Sequence, residues 1–265
     1  MPFKLSYLLF GRRCVACGRL IDLLSAENLC GTCRSNLVDI SRNFYTVNDT
    51  DRFLAAYAYR GRLTHILRRI KTRRDDDASD TLAGLLFDAM RGRDEFLGAD
   101  VVVCVPRYVR AGTTARPYNL SYELAERIAG YLGAEFCPDA LIKRRNVRSQ
   151  TSCSSRAVRL RNVRGAFALN GDVDISGRKI LLIDDIYTTG ATLSECAHAL
   201  RSGKPESVSA AAVAHGIPAE AFGDMYVNKD DAVDYDVTDM DMDRVRARYA
   251  GYEKLSRLRG RFSGR

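Results

Sequence analysis

The amino-acid sequence predicts an α/β protein with a mainly parallel sheet, and three observations support this class. Two continuous apolar runs, at residues 100–106 and 179–183, have the composition of strands that are covered on both faces. Between them, residues 120–132 repeat leucine or isoleucine every fourth position, which is a helical spacing. Strand, helix and strand of these lengths are typical of β-α-β units, in which consecutive strands lie parallel.

The other elements continue this alternation along the chain. Residues 53–59 alternate like a half-buried strand, and Arg60-Gly61 closes it. Residues 81–90 place their leucines on one helical face. Residues 191–202 are predicted to form a helix, and residues 207–214 a third covered strand.

Composition indicates a globular chain without membrane insertion. The 265 residues are 46% hydrophobic and 28% charged, enough for one large domain or a domain with appendages. No apolar run approaches the eighteen or so residues of a membrane span, and the N-terminal stretch lacks a small-residue cleavage site. We therefore expect the protein to be located in a reducing cytoplasm, where the eight cysteines do not form a disulfide framework.

The net charge of +8 is concentrated in residues 101–170, which carry 12 basic and 4 acidic side chains. Such a local excess favours an anionic partner. The basic residues from Lys143 to Arg164 lie in a stretch with no acidic residue. Three interpretations stay open here: a solvated loop, a hood that closes over pyrophosphate, and a strip that contacts single-stranded nucleic acid. Residues 141–166 contain no aromatic side chain to stack on bases, which weakens the third.

The C-terminal segment, residues 219–265, differs in composition from the rest of the chain. Eight aspartates between Asp224 and Asp243 precede eight basic residues between Arg244 and Arg265. A solvated helix with a loose basic end is the simpler interpretation, and a nucleic-acid-binding tail is the alternative.

Two cysteine pairs indicate a metal site. Cys14-x-x-Cys17 and Cys30-x-x-Cys33 are separated by twelve residues, and two such knuckles complete the tetrahedron of sulfur ligands that Zn²⁺ prefers. A redox-active dithiol is the weaker alternative, because neither pair opens a helix of a thioredoxin-like β-α-β unit. A cysteine–histidine nucleophile elsewhere is disfavoured, since Cys196 and His198 do not face each other on a helix.

The stretch Lys179–Thr192, KILLIDDIYTTGAT, combines an apolar strand, two carboxylates and a loop of small and hydroxylic residues. Ligands of doubly wound sheets bind beyond the carboxyl ends of the strands. Exposed N–H groups and the helix dipole after Thr188 favour a phosphate there. Asp184 and Asp185 would repel that phosphate, so they fit ribose hydroxyls. Two alternatives are a plain strand and turn, and a receiver domain whose first strand ends in paired aspartates. In a receiver domain, however, no loop of this Thr-Thr-Gly-Ala-Thr type follows the two aspartates.

Residues 180–192 resemble the 5-phosphoribosyl-1-pyrophosphate (PRPP) motif of type I phosphoribosyltransferases: four apolar residues, two acidic residues and a Thr-Thr-Gly-Ala-Thr loop. The order of several segments along residues 8–216 further resembles the ComF competence family of phosphoribosyltransferase-like proteins. These segments are the four-cysteine N-terminus, YRGRLTHILRRIK (59–71), VVVCVP (101–106), KRRNVRSQTSCSSRAVRLRNVRGAF (143–167) and the PRPP motif.

The resemblance implies a type I phosphoribosyltransferase fold, with a zinc-binding module over residues 1–45 and the phosphoribosyltransferase-like domain over 46–218. The tail over 219–265 lies outside the resemblance, and we interpret it as a C-terminal helical extension. It also implies that Mg²⁺ bridges pyrophosphate and ribose oxygens. Asp184 and Asp185 are the catalytic candidates. The implied PRPP-binding residues are Asp184, Asp185, Tyr187, Thr188, Thr189, Gly190, Ala191 and Thr192, and the candidates on the pyrophosphate side are Lys71, Pro106, Arg107 and Arg110.

Two functions follow from the resemblance. The first is Mg²⁺-dependent transfer of a phosphoribosyl group from PRPP to an unidentified acceptor. The second is a non-catalytic role in DNA uptake, in which the fold senses PRPP or a nucleotide and binds single-stranded DNA or proteins of the competence machinery. The chain departs from the family after the 101–106 strand, where an arginine-glycine-aromatic-asparagine-glutamine run is replaced by Arg116-Pro117-Tyr118-Asn119-Leu120. This departure leaves the acceptor side, and turnover itself, open.

Overall fold

The computed structural model of the protein describes Tyr7 and residues 11–23, 25, 27–43, 45–72, 74–109, 118–146 and 162–216. The strands are β1 (Arg12–Arg13), β2 (Leu20–Ile21), β3 (Arg52–Ala58), β4 (Val101–Cys104), β5 (Glu135–Phe136), β6 (Leu141–Lys143), β7 (Phe167–Leu169), β8 (Lys179–Tyr187) and β9 (Ser207–His215). The helices are α1 (Gly31–Ser35), α2 (Gly61–Thr72), α3 (Asp76–Met90), α4 (Asp94–Leu97), α5 (Leu120–Leu132) and α6 (Ala191–Arg201).

The central sheet has five strands in the order β3-β9-β8-β4-β5, and every neighbouring pair is parallel. Two antiparallel hairpins accompany it, one formed by β1 and β2 and the other by β6 and β7. Because all five central strands run the same way, their carboxyl ends share one edge, where the loops after β4 and β8 meet.

Apolar layers cover both faces of the sheet. One core contains buried side chains of α2, α3 and α5, and the other contains those of α6 and of the β6–β7 hairpin. This two-sided burial explains why the strands have continuous apolar sequences. Helix α3 begins where the Asp75 carboxylate accepts a hydrogen bond from the backbone N–H of Ala78, and α5 ends at Gly133, whose φ of 65° suits glycine.

The sequence-based element predictions are confirmed for the helix at 120–132 and for the three covered strands, with one extension. The strand predicted to end at residue 183 continues to Tyr187, because Asp184 and Ile186 still pair with β9. The predicted C-terminal helix, and most of the basic stretch after Lys143, lie outside the described residues.

The four-cysteine segment packs on the main domain. Val15, Leu29 and Cys33 belong to the same apolar core as Leu82 and Leu86 of α3. A segment too small to have a core of its own thus shares the core of its neighbour. Within the described part of the chain, no helix has the length and apolarity needed to cross a bilayer.

Candidate functional site

The two carboxylates predicted from the PRPP motif lie near the carboxyl end of strand β8, at the shared edge of the sheet. Asp184 is buried, and its Oδ1 accepts hydrogen bonds from the Ser121 hydroxyl at 3.0 Å and from the Asp185 backbone N–H at 2.9 Å. Ser121 is the second residue of α5, so this helix holds the carboxylate from one side of the sheet. Among the described residues, no hydrogen bond to Asp184 Oδ2 is formed.

The carboxylates of Asp184 and Asp185 have different electrostatic surroundings. Burial, followed by the negative charge of Asp185, raises the pKa of Asp184 to about 7. Asp185 is more exposed, and its Oδ2 lies 2.7 Å from Lys71 Nζ at the end of α2. The lysine therefore neutralises one carboxylate, while the other is held in a low-dielectric position where it binds a proton more tightly.

The loop from Thr188 to Thr192 joins β8 to α6 with little side-chain bulk. Gly190 has a φ of +78°, and α6 begins at Ala191. A Cβ at Gly190 would lie 2.8 Å from the Tyr187 ring, so only glycine fits the conformation and the space. The backbone N–H groups of Thr189 and Gly190 donate no hydrogen bond to the described residues. N–H groups of this kind at the N-terminus of an eleven-residue helix favour an anion, so a phosphate at this loop stays a prediction.

The side chain of Tyr187 lies beneath this loop. Its ring is buried, and its centroid is 4.5 Å from the ring centroids of both Phe53 and His215. The ring therefore supports Gly190 from below. A direct contact between Tyr187 and PRPP stays a prediction.

The residues expected on the pyrophosphate side are placed differently from one another. Pro106 and Arg107 follow β4 and line a cavity, whereas Lys71 contacts Asp185. Arg110 lies outside the described residues. The guanidinium of Arg107 donates to the backbone carbonyl of Tyr118 at 2.6 Å, and the Asn119 side-chain amide donates to the Val105 carbonyl at 3.0 Å.

That cavity, of about 790 Å³, opens between the end of β4, helix α5 and the β6–β7 hairpin. Its walls combine apolar side chains such as Ile142 with polar ones such as Asn170. The cavity lies near the aspartate pair, because Cys104 on its wall is paired in register with Ile183, the residue before Asp184. Its volume is in the range of small-molecule sites.

One polar network at this cavity was not anticipated from the sequence. Glu123 is buried on the cavity wall, and its Oε2 lies 2.8 Å from the Arg127 guanidinium. Arg127 also pairs with Asp80 of α3 at 2.6 Å. The i, i+4 spacing of Glu123 and Arg127 was the only sequence signal for this network, and such pairs are common on any helix.

The four predicted metal ligands converge. The Sγ atoms of Cys14, Cys17, Cys30 and Cys33 all lie within 4.8 Å of one another, and the Cys17–Cys30 distance is 3.8 Å. Four Zn–S bonds of about 2.3 Å give a tetrahedron with edges of about 3.8 Å, so the cluster fits Zn²⁺. Helix α1 starts directly after Cys30, but an antiparallel hairpin precedes it rather than a β-α-β unit.

The thiols of this cluster differ in pKa. Burial opposes ionisation of Cys14, but hydrogen bonds from backbone N–H groups, including that of Cys30 at 3.4 Å, outweigh it and lower its pKa to about 6. Burial and the neighbouring sulfur atoms raise the pKa of Cys33. One thiolate surrounded by three further sulfur donors is the arrangement that a divalent metal completes, because metal binding displaces the remaining protons.

Comparison with known proteins supports the resemblance inferred from sequence. The phosphoribosyl transferase domain family matches residues 117–244. The chain is 27% identical over 152 residues to the DNA utilization protein YhgH of Escherichia coli strain K12, and 28% identical over 152 residues to that of Salmonella typhi. Each match covers 56% of this chain and 65% of the relative, so the chain spans just under two thirds of the length of these relatives.

Two solved structures give weaker matches. Glutamine PRPP amidotransferase from B. subtilis is 23% identical with a TM-score of 0.35, over 52% of this chain and 26% of that one. Adenine phosphoribosyltransferase from Thermoanaerobacter pseudethanolicus is 16% identical with a TM-score of 0.35, over 58% of this chain and 85% of that one. Scores of this size add nothing to the sheet topology and the family match.

Proposed function

We propose that the chain binds PRPP and transfers the phosphoribosyl group to an acceptor. The proposal starts from the match of residues 117–244 to the phosphoribosyl transferase domain family and from the similarity to a protein named for DNA utilization. The observation that carries the proposal is the juxtaposition of Asp184 and Asp185 with the glycine-containing loop into α6. Acceptor oxygens for hydroxyls and N–H donors for a phosphate occur there side by side.

In the proposed complex, Asp184 Oδ2 and the Asp185 carboxylate accept hydrogen bonds from the ribose hydroxyls. The loop Thr188–Thr192 holds the 5-phosphate through backbone N–H groups and threonine hydroxyls. Lys71 already touches Asp185, so binding of ribose shifts this lysine toward the anionic ligand or shares it with the carboxylate. These contacts do not require the acceptor, and PRPP binds first or alone.

Two metal ions fit the proposal at different places. Mg²⁺ would neutralise part of the diphosphate charge, and oxygens of the ligand rather than Asp184 or Asp185 would hold most of it, because both carboxylates address the ribose hydroxyls. Zn²⁺ suits the four thiols and supplies stability to the N-terminal segment. The charge that develops on breaking the bond from ribose C1 to diphosphate is stabilised by fixed groups in a site closed to water.

Calorimetry with PRPP and Mg²⁺ tests the binding step. We expect wild-type protein to bind, and Asp185→Asn to lose at least tenfold in affinity, because it removes a charged acceptor of ribose hydroxyls. Asp172→Asn is the matched control, since it makes the same charge change at an exposed position in the turn before β8. Absence of heat with wild type, or equal affinity for the two variants, contradicts the proposal.

A second function is favoured by one specific observation, the similarity to a protein named for DNA utilization. In that role the basic stretch from Leu141 to Gly171, which has no acidic residue, contacts the phosphates of single-stranded DNA. A salt titration of DNA affinity tests it. Affinity that falls steeply with salt supports this role, and weak affinity indifferent to salt contradicts it.

A further inference from the structure

Helix α2 has an exposed face without negative charge. Among the side chains of α2 that the structure describes, the exposed ones are all arginine, lysine or histidine: Arg62, His65, Arg68, Arg69 and Lys71. The helix contains no acidic residue. Exposed helix faces commonly mix both signs of charge, because opposite charges three or four positions apart stabilise a helix and like charges repel. The positive charge of this face is therefore not balanced within the helix.

Two arginines of this face form no ion pair with the described part of the chain. Arg69 lies 3.0 Å from Asp75, but no carboxylate of the described residues lies within 4.0 Å of Arg62 or Arg68. At about 3.6 residues per turn, positions 62, 65, 68 and 69 lie within about a third of the helix circumference. We call these four residues the basic stripe.

The described part of the chain ends beside the first turn of α2. The carbonyl of His215, the last residue of β9, accepts a hydrogen bond from the Tyr59 N–H at 2.8 Å. Gly216, the last described residue, donates its N–H to the carbonyl of Tyr187 at 2.8 Å. Helix α2 begins at Gly61, two residues after Tyr59. The chain that follows Gly216 therefore starts near one end of the basic stripe.

The segment 224–243 has the charge that the stripe lacks. It contains eight aspartates, and Lys229 is its one basic residue. Asp224 is eight residues beyond Gly216. Eight extended residues reach about 26 Å, whereas the twelve residues of α2 are about 18 Å long, so the segment can reach the whole stripe. A tether this short gives a local concentration in the millimolar range.

We propose that the basic stripe of α2 binds the aspartate-rich segment 224–243 of the same chain through pairs of guanidinium and carboxylate groups. Arginine suits this role, because its planar guanidinium donates two parallel hydrogen bonds to one carboxylate. Single-stranded nucleic acid is another polyanion of matching charge. The exposed side chains described on α2 include no aromatic ring on which bases could stack, and the tether favours the chain's own segment. The inference does not depend on PRPP binding.

Carbodiimide cross-linking of full-length, zinc-loaded protein tests the contact, with mass spectrometry of the joined peptides. Arg68→Lys supplies an amine in the stripe and keeps the charge. Lys179 is the internal control, because it is an exposed lysine at the amino end of β8, 3.6 Å from Glu206. Arg62→Gln, added to Arg68→Lys, removes one charge from the stripe. Arg178→Gln makes the same charge change at an exposed position outside it.

In the monomer, the amine at position 68 should join the segment 224–243 at least about ten times as often as Lys179 does. About 0.5 M NaCl should abolish these cross-links, because it shortens the Debye length to about 4 Å. Arg62→Gln should lower their yield at least about twofold, and Arg178→Gln should leave it unchanged.

Equal yields from position 68 and from Lys179, or yields indifferent to salt, overturn the inference. Cross-links found only in dimers would place the segment on a second copy and overturn it as well. If cross-links are absent and Arg68→Gln weakens binding of an oligothymidylate, the stripe is a nucleic-acid site instead.

Discussion

Replacing Asp184 with asparagine should stabilise the protein at neutral and alkaline pH while it removes a ligand for ribose. The substitution keeps the shape of the side chain. Its amide oxygen can still accept the bonds that Ser121 and the Asp185 backbone N–H now donate to Oδ1. What disappears is a buried negative charge beside a second carboxylate, and burial is the larger cause of the raised pKa.

The magnitude follows from the difference between the ordinary pKa of 3.8 and the folded value of about 7. Between these values the folded protein holds a proton at Asp184 that the unfolded chain releases, so stability falls as pH rises. Below pH 3.8 Asp184 is protonated in both states and does not change the free energy of unfolding. Above pH 7 it is ionised in both states, and its burial lowers the free energy of unfolding by the full amount of about 4 kcal/mol. Between pH 6 and 8 alone, wild type should lose about 1.4 kcal/mol relative to the asparagine variant.

Urea unfolding of both proteins at pH 6, 7 and 8, with equimolar zinc, measures this difference. Subtracting the two curves cancels the titration of all other groups that the substitution leaves unchanged. Asp172→Asn, at an exposed site, should show a constant difference over the same range. The reasoning is refuted if the difference for Asp184→Asn does not grow with pH, or if this variant is the less stable protein at pH 8.

Three further predictions concern the loop, the cysteine cluster and the buried ion pairs. Gly190→Ala should lower the free energy of unfolding in urea by about 2 kcal/mol and weaken PRPP binding at least tenfold. Gly177 is the control, because it has a φ of +66° but no atom within 4 Å of the new Cβ. Gly177→Ala should lower the free energy of unfolding by about 1 kcal/mol and leave PRPP affinity unchanged. Cys17→Ser should lower bound zinc, measured by elemental analysis, from one per chain to well below one and reduce the melting temperature, while Cys137→Ser should keep the metal. Arg127→Met should cost about 3 kcal/mol in urea unfolding, because it leaves Asp80 without its cation and Glu123 with Arg74 alone, at 3.5 Å; a loss below about 1 kcal/mol would mean that Arg74 and water compensate for the lost cation.

The features that sequence predicted well are those encoded within one contiguous stretch. Helix α5 has the predicted bounds because its apolar period is a local signal. The aspartate pair and its loop were found together, since β8 delivers both to the same edge of the sheet. The two cysteine knuckles likewise carry their geometry in their spacing.

Contacts between distant parts of the chain could not be predicted in this way. The hydrogen bond from Ser121 to Asp184 joins residues 63 positions apart, and the ion pair from Lys71 to Asp185 joins α2 to β8. Neither serine nor lysine has a local pattern that distinguishes it from its neighbours on the same helix. The extension of β8 beyond residue 183 was missed for a related reason: two acidic residues suggest the end of a strand, yet pairing with β9 continues regardless of side-chain charge.

The altered run after β4 bears on turnover only through the contacts that its residues make. The Asn119 amide and the Tyr118 carbonyl both tie the end of β4 to the start of α5, through Val105 and Arg107. These bonds join Val105 and Arg107 to the residues before α5 without an acceptor, so the retained Asn119 has a structural role and is no evidence for transfer. Transfer requires instead that the cavity beside Lys143 hold an acceptor while the β8 loop holds PRPP, because a catalyst must bind both at once. Binding of an acceptor to PRPP-saturated protein would support transfer, whereas mutual exclusion of the two ligands would favour the proposed PRPP-sensing role.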